Sequence, residues 1–550
     1  MNKLARARVL RRPRFTGRLQ GLSLWSPSVW VIALVIAAPI LTVVASLFIP
    51  AGEVWAHLSS TVLPRYIQNS LWLMLGVGAG VSVIGVGTAW LVTMCSFKGR
   101  GWLEWALLLP MAFPAYILAY TYTDYLQFSG PLQTMLRDTF GWGARDYWFP
   151  QIRSLGGAIY LLTLALYPYV YLLARSAFLE QSKTMLEAGQ CLRVNAWQSF
   201  VRVSLPLARP AIVAGVALAL METLSDFGTV DYFGIQTFTT GIYRTWFGLG
   251  ERLAASQLAA WLLMFVLVLL VLERLSRNAW QHAARLKRSL PNPYTLQGGR
   301  AVLAFLAAAL PIILGFVLPA VLLLEMAAGR SFDADTWSYA RNSLTLASIS
   351  AWLAVVLALA LAYGVRVRPR PLTRLAAQVA SVGYAVPGSV IAVSILISLG
   401  WLDSRLDAVM GTGLLLSGTM FGLVYAYLVR FLTAAFNTVE AGLKNVTQSM
   451  DAAARSLGEN TWGSLFRVHI PLLRGHLFTA LLLVFVDVMK ELPATLIVRP
   501  FNLDTLAVRV YRLASDERLA EAAGGALVIV LVGVLPVIFL SMAMTRGRRS

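Results

Sequence analysis

Four carboxylates stand inside long apolar runs of this 550-residue chain. Glu222 and Asp226 lie in METLSD, and Asp487 and Glu491 in DVMKELP. Each pair is spaced four apart, which places both acids on one face of a helix. Counted from Pro206 at about 1.5 Å per residue, Glu222 falls roughly 24 Å into its helix, toward the outer half. A carboxylate in hydrocarbon is costly, so it faces a cavity, a partner or a pathway. Lys490 offers a local partner for Asp487 or Glu491, and such pairing is compatible with a pathway. Four oxygen-donor groups favour a cation, and hard trivalent ions prefer oxygen ligands.

Other chemistry has little support. No G-x-x-x-x-G-K-[ST] occurs, so the chain does not hydrolyse ATP itself. No Cys/His cluster has metal-site spacing. His57, His282, His469 and His476 are scattered, and His469 and His476 read as packing or solvated residues rather than a proton relay. Tyr116, Tyr120, Tyr122, Tyr125, Tyr167, Tyr169 and Tyr171 cluster in the third and fourth apolar runs. Phenolate binds ferric iron, but tyrosine is also an ordinary interfacial residue in membranes. Cys95 and Cys191 fall in segments read as cytoplasmic, which argues against a structural disulfide.

The elements that must position these residues are membrane helices. The chain is 58% hydrophobic and 13% charged, a profile of a polytopic membrane protein. The net charge of +20 is not a nucleic-acid signature, because the basic residues sit in short loops between apolar runs and no reading motif accompanies them. Runs long enough to span a bilayer fall near 29–49, 68–95, 102–125, 155–177, 208–230 and 256–273. A second series lies near 301–326, 342–365, 375–400, 413–433, 474–496 and 522–544. The first run is longer than a signal-peptide core and reads as a retained helix. The expected fold is an all-α polytopic membrane protein with about twelve transmembrane helices in two six-helix domains, 29–273 and 301–544. A basic N-terminus (1–28), a linker (274–300) and a short C-terminus (545–550) complete the chain. If the N-terminus is inside, segments 1–28, 96–101, 174–210, 274–300, 366–374, 430–474 and 545–550 hold 32 of the 46 Lys and Arg. The positive-inside rule then puts both termini in the cytoplasm.

The two domains repeat each other. Tyr66, Asn69, Ser70 and Leu71 match Tyr339, Asn342, Ser343 and Leu344 at an offset of 273, as Ala112 and Pro114 match Ala385 and Pro387. Past the fourth run the offset becomes 265, pairing Trp197/Trp462, Arg202/Arg467, Pro206/Pro471, Glu222/Asp487, Asp226/Glu491, Thr240/Thr505 and Arg244/Arg509. An even number of helices per domain makes the repeats parallel, about an axis along the membrane normal, with a pathway at that axis. Pro114 and Pro387, at mid-helix, free a backbone carbonyl and read as hinges or as static kinks. Arg244 and Arg509, in outer loops, suit contacts to acidic residues of an external protein or local pairing.

The repeat includes a water-facing loop, EAGQCLRVNAWQSFVRVSLP at 187–206 and AAARSLGENTWGSLFRVHIP at 452–471. Its pattern suggests two short helices joined by a turn, with Pro206 and Pro471 opening the next membrane helix. A loop presented twice suits two copies of one partner.

This loop resembles the E-A-A…G…Leu/Ile-Pro signature of the membrane subunits of binding-protein-dependent ABC importers, and both halves match the fused form of that permease. The resemblance implies a MetI-like fold and a coupling helix that docks in a cleft of the ATP-hydrolysing subunit. By position, Glu187, Ala188, Gly189, Trp197, Val203, Leu205 and Pro206 carry the first copy. Ala453, Ala454, Gly458, Trp462, Val468, Ile470 and Pro471 carry the second. The signature glycine is replaced by Arg193 in the first copy and the glutamate by Ala452 in the second, so the two docking sites are unequal. METLSDFGTVDYFG, TFTTGIYRTWFG and DVMKELPATLIVRPFNLDTLAVRVYRLASDERLAEAA resemble the ferric-iron branch. That resemblance implies ferric iron as substrate, two copies of an ABC ATPase carrying ATP and Mg, a periplasmic binding protein, and the bacterial inner membrane. Thiamine, polyamine or phosphonate transport stays open within the class. An ion-coupled secondary transporter, or a membrane scaffold, stays open outside it.

Overall fold

Proline and backbone hydrogen bonding decide where the helices of this computed structural model stop. The structure describes residues 25–50, 52–179, 196–278, 294–328, 334–411, 413 and 415–546. Glu187, Ala188, Gly189 and Arg193 lie outside these residues. Among the described residues, eleven helices are long and apolar enough to cross a membrane, and a twelfth span is a helix pair bent by 90°.

The third span of each half is broken. In the first half a short helix from Arg100 leads through a 3-10 turn at Leu109–Ala112 to extended Pro114, and a new helix runs Ala115–Leu126. In the second half Pro371–Ala380, the turn Gly383–Ala385 and extended Pro387 precede Gly388–Met410. Pro114 and Pro387 therefore do not sit at mid-helix as the sequence suggested. Each directly precedes a half-helix, where its missing N–H costs nothing.

The fifth spans carry a second correction. Pro206 and Pro471 do not open them. Each helix begins earlier, at Ala196 and Thr461, passes through a π-helical turn at Phe200–Ser204 or Leu465–His469, and continues as Leu205–Ser225 or Ile470–Lys490. Proline cannot donate to the preceding turn and crowds it, so the turn widens. The same happens at Ile313–Val317 ahead of Pro319.

Small residues let spans approach closely. A Cβ on Gly76, Gly80 or Gly85 of the second span (Leu63–Met94) would meet Ile159, Thr163 or Val170 of the fourth (Leu155–Leu179) at 2.6–2.7 Å.

The halves are not self-contained six-helix bodies. The first span, Trp25–Ser46, packs on the second half, against Ala334–Val367, Pro371–Ala380 and Gly388–Met410. Thr42 Oγ1 lies 3.1 Å from Ser398 Oγ, and the Tyr425 hydroxyl donates to the Val35 carbonyl. The seventh span, Gly299–Ala327, packs reciprocally on the first half, with Phe316 5.5 Å from Phe113 and the Tyr122 hydroxyl donating to the Leu314 carbonyl. Ahead of it, Tyr294–Thr295 pairs in parallel with Cys95–Ser96, bringing the linker to the loop after the second span.

With Cys95 and Cys191 replaced by serine and a protease site inserted in the 279–293 linker, cysteines introduced at positions 42 and 398 should crosslink under oxidation. The cleaved halves should then migrate as one band on a non-reducing gel. Two separate bands after complete oxidation would contradict the exchanged packing.

Candidate functional site

Two helix breaks place the four carboxylates. The fifth span of the first half ends at Ser225, and Asp226 follows in extended conformation. Its carboxylate accepts from the Thr229 and Val230 backbone N–H groups, 3.1 Å each, and from the Thr229 hydroxyl, 3.0 Å, capping the short helix Gly228–Tyr232. Glu491 repeats this after Lys490. It accepts from Ala494 N at 2.9 Å, Thr495 N at 2.8 Å and the Thr495 hydroxyl at 2.6 Å, capping Pro493–Val498. The expected sharing of one helix face by Glu222 with Asp226, and Asp487 with Glu491, is thus replaced. The first acid of each pair is helical and the second lies beyond the helix end.

All four acids line one cavity of about 160 Å³ between the halves. Pro114, Ala115 and Tyr116 at the broken third span also line it, with Tyr169, Tyr384, Arg430 and Lys490. Arg430 Nη1 donates to Glu491 Oε1 at 2.8 Å, and both side chains are buried. Lys490 Nζ lies 3.7 Å from Asp487 Oδ1, so the expected local pairing falls on Asp487 and not on Glu491. Of the seven tyrosines noted in the sequence, Tyr116 and Tyr169 reach the cavity. Tyr122 and Tyr171 bond backbone carbonyls instead. The Tyr116 hydroxyl is buried without a hydrogen-bond partner. Among the described residues, no three His, Cys, Asp or Glu side chains converge tightly enough to hold a metal ion.

By sequence, Arg430 falls in the inside segment 430–474. The structure puts it in the middle of the fourth span of the second half, Met420–Asn445, and the loop begins only after Asn445. The legible signal was a lone arginine inside the apolar run LVYAYLVRFL.

The second copy of the repeated loop is a short helix, Gln448–Ser456, joined through Gly458 at φ +86° to the first turn of the fifth span, Thr461–Ser464, which Asn460 caps by accepting from Gly463 N. Ala453 is exposed and Ala454 buried. Asp451 accepts from Arg366 at 2.8 Å and lies 2.9 Å from His469 Nε2. Trp462 packs 4.6 Å from Trp25, the start of the exchanged first span, and the Tyr363 hydroxyl donates to the Thr461 carbonyl at 2.8 Å. In the first copy, Trp197 is exposed and packs on Phe200, which packs on Trp90, the repeat mate of Tyr363. Trp90 in turn meets Tyr294 of the linker.

On the far side of the fold, the repeat register differs from the sequence reading. Thr237 and Thr505 both cap helices, Phe238–Tyr243 and Leu506–Ser515, so the offset there is 268. Three residues more separate Glu491 from its cap than separate Asp226 from Thr237. Thr240/Thr505 and Arg244/Arg509 are therefore not repeat mates. Arg244 corresponds to Arg512, and Tyr243 to Tyr511. Arg244 lies 3.9 Å from Asp231, Arg512 pairs with Asp504 at 2.9 Å, and Arg509 stacks on Tyr339. Phe227 packs between Tyr243 and Tyr511.

The twelve spans in two repeats and their shared cavity define a membrane transport subunit. Residues 81–278 and 353–547 each match the family described as binding-protein-dependent transport system inner membrane component, and the chain belongs to that family. It is 26% identical over 489 residues to the Fe(3+)-transport system permease protein FbpB 2 of Haemophilus influenzae, covering 87% of this chain and 90% of that one. It is 23% identical over 499 residues to the ferric transport system permease protein FbpB of Actinobacillus pleuropneumoniae, covering 86% and 70%. A shorter relative, the molybdenum transport system permease protein ModB of Escherichia coli, matches 208 residues at 26% identity, 36% of this chain and 88% of its own length. The chain is accordingly a multi-pass inner membrane permease subunit.

Removing a cap costs about 1 kcal/mol, whereas stranding a buried charge costs about 3–5 kcal/mol. In thermal unfolding of the detergent-solubilised protein, Glu491→Ala, which also strands Arg430, should melt well below Asp226→Ala. Equal melting of the two would remove the Arg430 pair as a stabilising element.

Proposed function

We propose that this chain is the transmembrane subunit of an ATP-driven importer that accepts ferric iron from a periplasmic binding protein and releases it into the cytoplasm by alternating access. The observation that carries the reading is the cavity at the junction of the two halves, lined by four carboxylates and a buried, unpartnered tyrosine hydroxyl. Such oxygen donors suit a hard cation. The relatives that match both halves are named as ferric permeases, and the iron assignment draws on that likeness.

In this reading two identical ATPase subunits, carrying ATP and Mg, grip the loops at 187–206 and 452–471, and the chain itself holds no cofactor. Both termini are cytoplasmic. Glu222, Asp226, Asp487 and Glu491 border the pathway, and Arg244 and Arg509 face the binding protein. Pro114 and Pro387 mark where the third spans flex. Closure of the ATPase dimer draws the loops together, and the fifth spans carry that displacement to the cavity. A ligand that favours one state of such an equilibrium shifts it only by its differential contacts, so the loops stay engaged throughout the cycle.

Uptake of labelled ferric iron by cells lacking the chain should be lost, and should return when it is restored. Unchanged uptake would remove iron as the substrate. Ala454→Asp places a charge at a buried position of the second loop, and Pro206→Asp changes the first. Ala454→Asp should lower uptake at least about tenfold while membrane levels hold, since burying one unpaired charge costs more than about 1.4 kcal/mol, and Pro206→Asp should lower it in the same direction. Wild-type uptake in both variants would overturn the coupling role of the loops.

A further inference from the structure

The cavity is not symmetric, although the folds around it are. Both of its cations belong to the second half. Arg430 corresponds, at the 265 offset that aligns Gly157 with Gly422 and Tyr160 with Tyr425, to Ala165. Lys490 corresponds to Ser225. Ala165 and Ser225 line the same cavity, so the comparison is between equivalent wall positions.

The difference is built into the packing. Gly388, at the start of its half-helix, faces the guanidinium. A Cβ there would overlap Arg430 Nη1 and come within 2.8 Å of Glu491 Oε1. Its repeat mate is Ala115, which carries a Cβ and lines the same cavity as Ala165. One half thus combines glycine with a long cation, and the other combines a methyl with a methyl.

The charges divide accordingly. Glu491 is held by Arg430 and Asp487 lies beside Lys490. Among the described residues, neither Glu222 nor Asp226 has a Lys or Arg within ion-pairing distance. With every group ionised, the four carboxylates and two cations leave a charge of −2, all of it from the first half. The unpartnered Tyr116 hydroxyl also belongs to the first half, in the same wall.

We propose that Arg430 is a tethered counter-cation. It occupies Glu491 in place of cargo, leaves Glu222 and Asp226 as the carboxylates that meet a multivalent cation, and so keeps the cavity from retaining that cation. The proposal rests on the cation-pathway reading above. With Arg430 absent, Glu491 would turn a bare charge to the cavity, and a transit site would become a trap.

The test uses the full permease purified with its ATPase subunits. Terbium(III), a hard trivalent ion, is titrated and read by luminescence excited through nearby tyrosines. Arg430→Gln should tighten terbium binding about tenfold, as expected for removing one like charge a few Å from the ion. Arg430→Lys should stay at the wild-type value. Arg430→Gln/Glu491→Gln should return to it. Arg430→Gln/Glu222→Gln should show no tightening, because the first-half carboxylate is needed to hold the ion. Unchanged binding in Arg430→Gln, or tightening that survives Glu222→Gln, would overturn the proposal. If Arg430→Gln does not assemble, Gly388→Ala expels the guanidinium without deleting it and is judged by the same criterion. Iron uptake that proves independent of the chain would remove iron as cargo and leave the terbium series to decide the counter-cation.

Discussion

A backbone N–H that ends in hydrocarbon without an acceptor costs several kcal/mol, and this constraint shapes the centre of the molecule. The fifth spans stop at Ser225 and Lys490, and the chain turns at once into short helices whose first N–H groups have no helical partner. Asp226 and Glu491 supply those acceptors, with a threonine hydroxyl completing each cap. A carboxylate is a favourable cap because it also meets the positive end of the helix dipole. The breaks at Pro114 and Pro387 sit against the same space. Interrupted helices are tolerated at membrane depth only where they line a cavity or are buried in protein, and here they do both. These two carboxylates are structural, since without them the short helices beside the cavity would begin with unsatisfied N–H groups.

The spans and the repeat were legible because apolar length and identical residues at constant offset are local signals. In the second copy of the loop the first helix and the turn were legible for the same reason, while the second helix proves to be the start of the fifth span. What escaped depends on contacts distant in sequence. Nothing local in Trp25–Ser46 says that it packs on the other half, because lipid and a neighbouring helix ask for the same apolar side chains. The ends of the fifth spans were hidden because Asp226 and Glu491 continue the i, i+4 spacing of a helix while acting as caps beyond it. The three-residue insertion before Thr505 was hidden because a fixed offset still pairs Thr240 with Thr505 and Arg244 with Arg509 by residue type. Arg430 was visible as a charge in an apolar run, but its partner lies sixty-one residues away.

The exchange of first spans gives the second loop a contact with the opposite half and brings the linker to the aromatic cluster beside the first. Trp25 packs on Trp462 and on Tyr363, which bonds Thr461. In the other half, Tyr294, leading into the exchanged seventh span, packs on Trp90, which packs on Phe200 beside Trp197. The two arrangements use different residues at corresponding places. Aromatic pairs of this kind have preferred geometries and add about 0.5–1.5 kcal/mol beyond the area they bury.

The fifth span joins loop and cavity directly. It runs without a break from Thr461 to Lys490, about 45 Å at 1.5 Å per residue, with Trp462 at one end and Asp487 near the other. A rigid rod of that length would turn any tilt at the loop into a lateral shift of the carboxylates. The π-turn at Leu465–His469, forced by Pro471, sits close to the loop end of the rod. Widened turns are among the places where helices bend, and this one lies at the loop end of the helix, away from Asp487. Asp451 binds Arg366 of the helix Ala334–Val367 while lying against His469 within the π-turn. The π-turn, the loop and the neighbouring span therefore meet at one point.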